Sequence, residues 1–180
     1  MDIYNSDMDY KVENIIDNDD RVLLIGMYNS LKPRPANQDY NLFDVDKRLI
    51  SGDMFAKGPF LKLKEYAGLE VYSHYFVMYE EDSFTKMHTD NDDEVGLTIV
   101  TLLDDVELVG GETIVMLPYN KKDVPTHKYQ KGDIQDGQRC IPRIVQVEKG
   151  QSMIYDRSLL HGVTQVETGK RLVLVSWFKA

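Results

Sequence analysis

The sequence predicts a mainly β fold with flanking N-terminal helices, an α+β domain whose strands form an antiparallel sandwich or barrel. Helix start and stop signals are found in the first 70 residues. From residue 69 onward, the chain is a succession of short segments rich in β-branched and aromatic residues and bounded by Gly, Asp, Asn or Pro. A length of 180 residues suits one domain. We therefore expect a single domain over 1–180, with 1–70 as a helical support region and 71–180 as the β core.

Two helices are predicted in the support region. The segment 17–31, DNDDRVLLIGMYNSL, places acidic and Asn residues before an apolar run, where a carboxylate can cap exposed N–H groups. Two prolines within 32–39 then break the chain. A second helix is expected to begin at Pro59, because proline fits a first turn, and to stop at Gly68.

Seven strands are predicted in the β core. They are 69–80, 96–103, 112–118, 142–148, 151–156, 161–166 and 171–178. The segment 119–141 between them is polar and long for a connection. Loops of this length are often lids or binding loops, and a plain insertion explains the segment equally well.

Composition restricts the class of partner. The formal charge is −9, whereas phosphate binding needs clustered Lys and Arg, so a nucleic acid is not expected as a partner. No apolar run is long enough to span a bilayer, and the acidic N-terminus does not resemble a secretory signal. The single cysteine, Cys140, cannot form an internal disulfide, which fits a reducing compartment. We expect a cytoplasmic protein with no membrane partner, and its oligomeric state is open.

A His-x-Asp pair at 88–90 is the first candidate for chemistry. It lies in TKMHTDND, a run that looks extended, and side chains two apart on a strand share a face. His88 and Asp90 can therefore meet one ion. Taken alone, such a pair is most often solvated or part of a turn.

A third ligand would change that interpretation. Three other histidines are available. His74 lies in a tyrosine-rich strand and is expected to be packed or exposed, and His127 lies in the polar segment and is expected to be solvated. His161 precedes the last strand and completes two imidazoles and one carboxylate, the ligand set of a non-haem Fe(II) site with open coordination positions. The same ligands can hold catalytic zinc, so ligand type does not decide between the two metals.

Arg171 bears on that choice of metal. It lies ten residues after His161, past a predicted turn at Gly169, at the start of the last strand. A guanidinium returning to the same pocket can hold a carboxylate through two parallel hydrogen bonds. Alternation places Val173, Val175 and Trp177 on the same face as apolar walls. The competing interpretation is an exposed charge at a strand edge.

Four motifs occur in one order along the chain. They are HTD at 88–90, GGET at 110–113, KGQSMIYD at 149–156 and HGVTQVETGKRLVLVSWF at 161–178. In that order they resemble the Fe(II)- and 2-oxoglutarate-dependent dioxygenases, specifically the prolyl 4-hydroxylase-like branch. The resemblance covers about residues 75–180. Residues 1–70 fit only loosely the helices that precede the core in that family.

The resemblance implies a double-stranded β-helix, a cupin-like jelly roll over 71–180, with a metal at one mouth. It implies that His88, Asp90 and His161 bind Fe(II) and that Arg171 pairs with the distal carboxylate of 2-oxoglutarate. The implied cofactors are Fe(II), the cosubstrate 2-oxoglutarate and O2, with ascorbate as an auxiliary reductant. The implied reaction is hydroxylation of an unactivated C–H bond, in a prolyl residue of a peptide or protein, with decarboxylation of 2-oxoglutarate to succinate and CO2. No catalytic residue beyond the metal ligands is implied.

Three positions bear on the family pattern. The tyrosine that often assists the arginine is Leu102 here, and Tyr79 or Thr98 is the expected substitute in cosubstrate binding. The proline that commonly follows HGV-x is Gln165. Asp90 is a carboxylate where related halogenases carry a small residue, so the resemblance implies hydroxylation.

Other functions stay open at this point. The same core hydroxylates free amino acids and other small metabolites, so the substrate is either a peptide or a small molecule. A non-catalytic, metal-binding cupin-like module is the alternative from a different class, although it has no need for an open metal face. A zinc hydrolase would need a base near the metal water. Only the acidic residues around the candidate site offer one; they are Glu80, Glu81, Asp82, Asp92, Asp93 and Glu94.

Overall fold

Two antiparallel sheets and two helices make up the structure. It is a computed structural model that describes residues 10–33, 41–90, 93–118 and 140–180. The helices are α1 (Asn18–Ser30) and α2 (Gly58–Ala67), with a short 3₁₀ turn at Gly52–Met54. The strands are β1 (Tyr10–Glu13), β2 (Leu42–Phe43), β3 (Asp46–Leu49), β4 (Val71–Tyr79), β5 (Phe84–His88), β6 (Val95–Gly110), β7 (Thr113–Pro118), β8 (Cys140–Val145), β9 (Ser152–Asp156), β10 (Leu160–Val163) and β11 (Val166–Lys179).

The first predicted helix is confirmed as α1. Asp17 caps it in a reciprocal box: the Asp17 carboxylate accepts from the Asp20 backbone N–H at 2.9 Å, and the Asp20 carboxylate accepts from the Asp17 N–H at 3.0 Å. At the other end, Arg48 donates to the carbonyls of Tyr28 and Leu31 at 2.7 and 2.8 Å. These bonds satisfy carbonyls that a helix end leaves without partners.

The second predicted helix is confirmed as α2. Pro59 lies in its first turn, and Gly68 ends it in the left-handed conformation with φ 65°. Phe60 and Leu63 are fully buried in the same apolar cluster as Leu24 of α1. The helices therefore cover one side of the β structure.

Sheet A has the strand order β1-β9-β6-β11-β4-β3. Its central strand, β11, pairs along most of its length with β4 and β6. Leu172, Leu174 and Phe178 face the cluster beneath the helices. The alternate residues of β11 face the other way, toward sheet B. This sheet is thus buried on both faces, which explains why RLVLVSWF is nearly continuous in apolar residues.

Sheet B has the order β2-β5-β10-β7-β8 and faces sheet A. The chain crosses between the two sheets after β10, at Thr164 and Gln165, before it enters β11. The paired glycines of GGET have positive φ, 74° at Gly110 and 66° at Gly111, as a tight turn into β7 requires. The predicted mainly β fold with flanking helices is confirmed.

Two differences between the structure and the sequence prediction bear on the architecture. Residues 1–70 are not only helical, since β1, β2 and β3 add short strands at the sheet edges. These strands have two to four residues, too few for an alternation pattern to be visible. Gly169 is not a turn, since it lies within β11 at a register shift, with φ 83°. The turn between His161 and Arg171 is the sheet-to-sheet crossing at 164–165.

The polar segment 119–141, for which a binding loop and a plain insertion were both left open, falls almost entirely outside the described residues, as does His127. Among the helices that the structure describes, none has the length and apolarity needed to cross a membrane.

A buried histidine lies between sheet A and the helices. His74 on β4 is fully buried, and its Nδ1 lies 2.8 Å from the Ser176 hydroxyl. Among the described residues its Nε2 has no hydrogen-bond partner, and the rings of Phe55, Phe60 and Phe178 surround it. Burial lowers the pKa of His74 to about 4. The folded chain therefore keeps this ring neutral at pH values where an unfolded chain protonates it.

We predict that His74 makes the metal-free protein lose stability as pH falls from about 6.5 to about 4. The unfolded chain binds a proton in this range that the folded chain does not, and the cost approaches roughly 3 kcal/mol at the lower end. The double variant His74→Phe/Ser176→Ala removes the titrating ring and its polar partner together. Chemical denaturation from pH 4 to 7.5 should show a shallower decline for this variant.

The matched control is Thr101→Val/Ser152→Ala, which removes a buried hydroxyl pair separated by 2.7 Å. It should shift the free energy of unfolding without changing its pH slope. Parallel curves for the parent and the His74 variant would contradict the prediction.

Candidate metal and anion site

The inner faces of the two sheets enclose one pocket of about 670 Å³, including its open mouth. Strand registers arrange the sheet A lining in rows. The first row is Tyr155 and Trp177, which flank Thr98 on β6; the next is Met153, Val100, Val175 and Tyr75; the next is Leu102, Val173 and Val77; the last is Arg171 and Tyr79. The predicted face of β11 thus lines this pocket; its residues are Arg171, Val173, Val175 and Trp177. Its middle is apolar and its two ends are polar.

Sheet B brings the two candidate imidazoles together. His88 ends β5 and His161 lies in β10, and the antiparallel register pairs them directly. Their ring centroids are 4.4 Å apart. Gly162 makes this approach possible, because a Cβ there would lie 2.9 Å from the Thr85 carbonyl oxygen and 2.7 Å from the Met87 sulfur. The glycine after the histidine therefore has a packing role beside the site.

Asp90 completes a cluster of three potential ligands. Its Oδ1 lies 3.5 Å from Nε2 of His88 and 3.7 Å from Nε2 of His161. The ligand atoms of the three residues all lie within 4.8 Å of one another. Ligands on opposite sides of one ion at about 2.1 Å would be about 4.2 Å apart. The two separations from Asp90 Oδ1, 3.5 and 3.7 Å, are shorter than this, which suits ligands of one ion.

Hydrogen bonds orient both imidazoles in the same way. Nδ1 of His88 lies 2.6 Å from the Lys86 carbonyl oxygen, and Nδ1 of His161 lies 2.9 Å from that of Leu159. Because a carbonyl only accepts, each Nδ1 carries the proton and each neutral ring presents an Nε2 lone pair. Burial also lowers the pKa of His161 and favours its neutral form. Two lone pairs and a carboxylate thus converge, an arrangement that a cation stabilises.

Asp90 is fixed from behind. It is 5% exposed, its backbone N–H donates to the Arg157 carbonyl at 3.0 Å, and the Thr98 hydroxyl donates to its Oδ2 at 2.6 Å. Burial acts to raise the pKa of Asp90, but its interactions with His88, His161 and Thr98 together hold it below its ordinary value. The carboxylate is therefore ionised, with Oδ1 directed at the histidines.

Arg171 lies at the other end of the pocket. It is 6% exposed and donates to the Gly111 carbonyl at 3.0 Å and to the Thr113 hydroxyl at 2.7 Å. Burial lowers the pKa of this guanidinium, but the ordinary value is so high that the group stays charged. Within the described part of the chain, no carboxylate forms an ion pair with it. A buried cation without a counter-anion is costly, so this end of the pocket favours an anionic ligand.

The two expected cosubstrate residues lie at different places. Tyr79 is beside Arg171, with its ring centroid 5.6 Å from the guanidinium carbon and its hydroxyl 2.6 Å from that of Thr85. Thr98 lies behind Asp90 and is not among the pocket-lining residues. Leu102, at the position of the family tyrosine, supplies apolar wall. The predicted roles of Tyr79 and Thr98 in binding the cosubstrate stay predictions.

The sequence prediction did not include Tyr155. This residue is buried, lines the pocket, and places its hydroxyl 3.0 Å from Nε2 of His161. Burial raises the pKa of Tyr155 well above its ordinary value, so the phenol stays protonated. Alternation along β9, which puts Tyr155 on the same face as Met153, was the available signal.

No family model and no curated protein matches this sequence. Solved structures do match. The chain aligns over 96% of its length, at 14% identity and TM-score 0.66, with 86% of an oxidoreductase of the 2OG-Fe(II) oxygenase family from Burkholderia pseudomallei. It aligns over 97%, at 16% identity and TM-score 0.62, with 97% of a viral collagen prolyl hydroxylase from Paramecium bursaria Chlorella virus-1 in complex with 2OG. It aligns over 95%, at 14% identity and TM-score 0.69, with 76% of SnoN, a non-heme alpha-ketoglutarate-dependent epimerase from nogalamycin biosynthesis.

These similarities assign the fold. The two facing antiparallel sheets are the jelly roll, or double-stranded β-helix, of the 2-oxoglutarate oxygenases, and the predicted fold class is confirmed. The three neighbours include a hydroxylase and an epimerase, so the fold does not fix the reaction.

We predict that Thr98→Val weakens metal binding about tenfold, because a hydrogen-bonded residue behind a ligand typically contributes that much. Without the Thr98 hydroxyl, the Asp90 carboxylate is free to rotate and loses a bond to Oδ2. Calorimetric titration of the metal-free protein with Mn(II) measures the change.

Thr101→Val is the matched control, since Thr101 is buried on the same strand and bonds Ser152 instead. It should leave the Mn(II) affinity unchanged. Equal losses in both variants would assign the effect to general destabilisation and not to Asp90.

Proposed function

We propose that this protein is an Fe(II)- and 2-oxoglutarate-dependent dioxygenase that hydroxylates an unactivated C–H bond of a prolyl residue in a peptide or protein. The cosubstrate would be decarboxylated to succinate and CO2 in the same reaction. His88, Asp90 and His161 would hold the iron, and Arg171 would hold the distal carboxylate of 2-oxoglutarate.

One observation carries the proposal: the same pocket has three potential metal ligands at one end and, at the other, a buried guanidinium with no ion-pair partner among the described residues. In sheet B the His161–His88 row and the Val163–Thr85 row are separated by two residues of β10, or about 7 Å. Tyr79, which bonds Thr85, lies beside Arg171. A short dicarboxylate that chelates a metal at one end and meets a cation at the other suits this spacing.

The donor set supports iron as the metal. Two imidazoles and one carboxylate on one side of an ion leave further positions for a bidentate cosubstrate and oxygen. Iron in this setting supplies the oxygen chemistry, and the chain positions the reactants and excludes water. A zinc hydrolase would in addition need a general base beside the metal water.

The residues of this chain have separate tasks in the proposed reaction. The carbonyls of Lys86 and Leu159 hold the imidazoles with Nε2 toward the metal. Thr98 holds Asp90 in its ionised form. Arg171, fixed by Gly111 and Thr113, sets the depth at which the cosubstrate lies. Leu102, Val173 and their neighbours keep the space between the two ends apolar and dry.

The prolyl part of the proposal has its own support. The prolyl hydroxylase from the Chlorella virus aligns over nearly its full length with this chain. Trp177 and Tyr75 line the pocket, and their rings meet edge to face with centroids 5.5 Å apart. Such aromatic walls suit a compact apolar ring. A free amino acid or another small metabolite is the alternative substrate, and the assay below includes it.

We predict that anaerobic addition of Fe(II) and then 2-oxoglutarate produces the weak visible charge-transfer band of a chelated 2-oxo acid. Arg171→Leu should raise the 2-oxoglutarate concentration that half-saturates the band by at least about tenfold, because a charge-assisted bond to a buried carboxylate is lost. Iron affinity should change little. The half-saturating 2-oxoglutarate concentration of Arg171→Lys should lie between those of the parent and Arg171→Leu, since a lysine keeps the charge without the bidentate geometry.

Arg143→Leu is the control, because Arg143 is an exposed cation on β8 of the other sheet. It should behave like the parent. If iron binds to the parent and no band forms at saturating 2-oxoglutarate, the cosubstrate assignment fails and a binding module becomes the better explanation.

We predict that the iron-loaded parent forms succinate faster when a proline-containing peptide is present. Asp90→Ala should form none while keeping the parent's far-ultraviolet circular dichroism spectrum, because Asp90 is a ligand. Succinate and the product mass should be measured with proline-rich peptides, with their alanine-substituted counterparts and with free proline. Stimulation by the alanine peptides alone would overturn the prolyl assignment, and stimulation by free proline alone would favour a small-molecule hydroxylase.

A further inference from the structure

Tyr155 competes for an atom that the candidate metal needs. Nδ1–H of His161 is committed to the Leu159 carbonyl at 2.9 Å, so Nε2 of that ring can only accept. The Tyr155 hydroxyl, 3.0 Å from Nε2, is therefore the donor. A metal ion bound to His161 takes the same lone pair. Metal binding must then break this hydrogen bond and leave the phenol proton without its acceptor.

The surroundings limit where that proton can go. Tyr155 is 4% exposed, so solvent is not a free substitute. Its ring packs against the His161 ring with centroids 4.6 Å apart, and its cross-strand neighbour is Thr98. The Thr98 hydroxyl donates to Asp90, and its remaining lone pairs make it the competing acceptor for the phenol proton, which the test below distinguishes. A buried hydroxyl left without an acceptor is costly, so a ligand oxygen arriving next to His161 would be a favourable partner.

We propose that Tyr155 positions the cosubstrate through a hydrogen bond. Its hydroxyl donates to His161 Nε2 when no metal is bound. Once metal is bound, the hydroxyl donates instead to an oxygen at the 2-oxo acid end of 2-oxoglutarate. The inference rests on the proposed function. Tyr155 on sheet A would then donate a hydrogen bond to the 2-oxo end of the cosubstrate, as Arg171 would to its distal carboxylate. It also makes metal and cosubstrate binding cooperative, because the cosubstrate restores the hydrogen bond that the metal removes.

The test is Tyr155→Phe, which keeps the ring and removes the hydroxyl. Two binding constants are measured by calorimetry without turnover: that of Ni(II) for the metal-free protein, and that of 2-oxoglutarate for the Ni(II)-loaded protein. The variant should bind Ni(II) several-fold more tightly, because no competing donor holds Nε2. It should bind 2-oxoglutarate about tenfold more weakly, because one hydrogen bond to an anion is lost.

Tyr10→Phe is the matched control. Tyr10 is the other cross-strand neighbour of Tyr155, on β1, and is not among the pocket-lining residues. Both constants should equal those of the parent. Unchanged 2-oxoglutarate binding in Tyr155→Phe would overturn the proposal and indicate that the hydroxyl turns to Thr98. Unchanged or weaker Ni(II) binding would overturn it as well.

A measurement on the unaltered protein guards against a variant that fails to fold. The buried phenol proton should exchange slowly, and its proton resonance should show an Overhauser contact to the His161 ring in the metal-free state. Zn(II) should shift that resonance and accelerate its exchange with water, and 2-oxoglutarate should shift it again and slow the exchange. A resonance and exchange rate that stay unchanged at Zn(II) saturation overturn the proposal. A parent protein that binds metal but not 2-oxoglutarate refutes the proposed function itself, which separates the two failures.

Discussion

The structure depends on the double pairing of β11. This strand is hydrogen-bonded to β4 on one side and to β6 on the other, and its side chains alternate between two enclosed spaces. Leu172, Leu174 and Phe178 anchor the helix-covered core, while Arg171, Val173 and Val175 form the floor of the pocket. Because the period of a strand is two, a slip of one residue would exchange the two sets and put the guanidinium under the helices. Core packing therefore fixes the position of the anion anchor.

Sheet B adds the other half of the site through a single register. Pairing of β10 with β5 sets His161 opposite His88, and the crossing at 164–165 then returns the chain to sheet A in time to place Arg171. Each imidazole is held by a carbonyl two residues before it, so the orientation of the rings is a local property of their strands. The separation between the candidate metal ligands and Arg171 follows from backbone pairing and needs no mobile segment.

Much of this could be predicted from the sequence, and the exceptions have physical causes. Alternation placed His88 with Asp90, and Arg171 with its apolar neighbours, because period two is visible in short segments. The strands β1 to β3 were not predicted, since edge strands of two to four residues carry no such pattern. The bulge at Gly169 was mistaken for a turn, because a glycine with positive φ serves both equally well. Alternation along β9 places Tyr155 on the face of Met153, but it cannot reveal that Tyr155 contacts His161 or that Thr98 supports Asp90, because each contact joins two different elements.

The two polar ends of the pocket are unfavourable for the folded chain alone. Converging lone pairs and a carboxylate repel one another, and the buried guanidinium has only neutral acceptors within the described residues. Tyr155 offsets part of this cost by donating to one lone pair. A cation at one end and an anion at the other would offset the remaining electrostatic cost. Each of them would bind the folded chain and not the unfolded chain. A ligand that binds the folded state stabilises it more the tighter it binds. The features that cost the folded chain stability are therefore the same ones that select a cation and an anion as ligands.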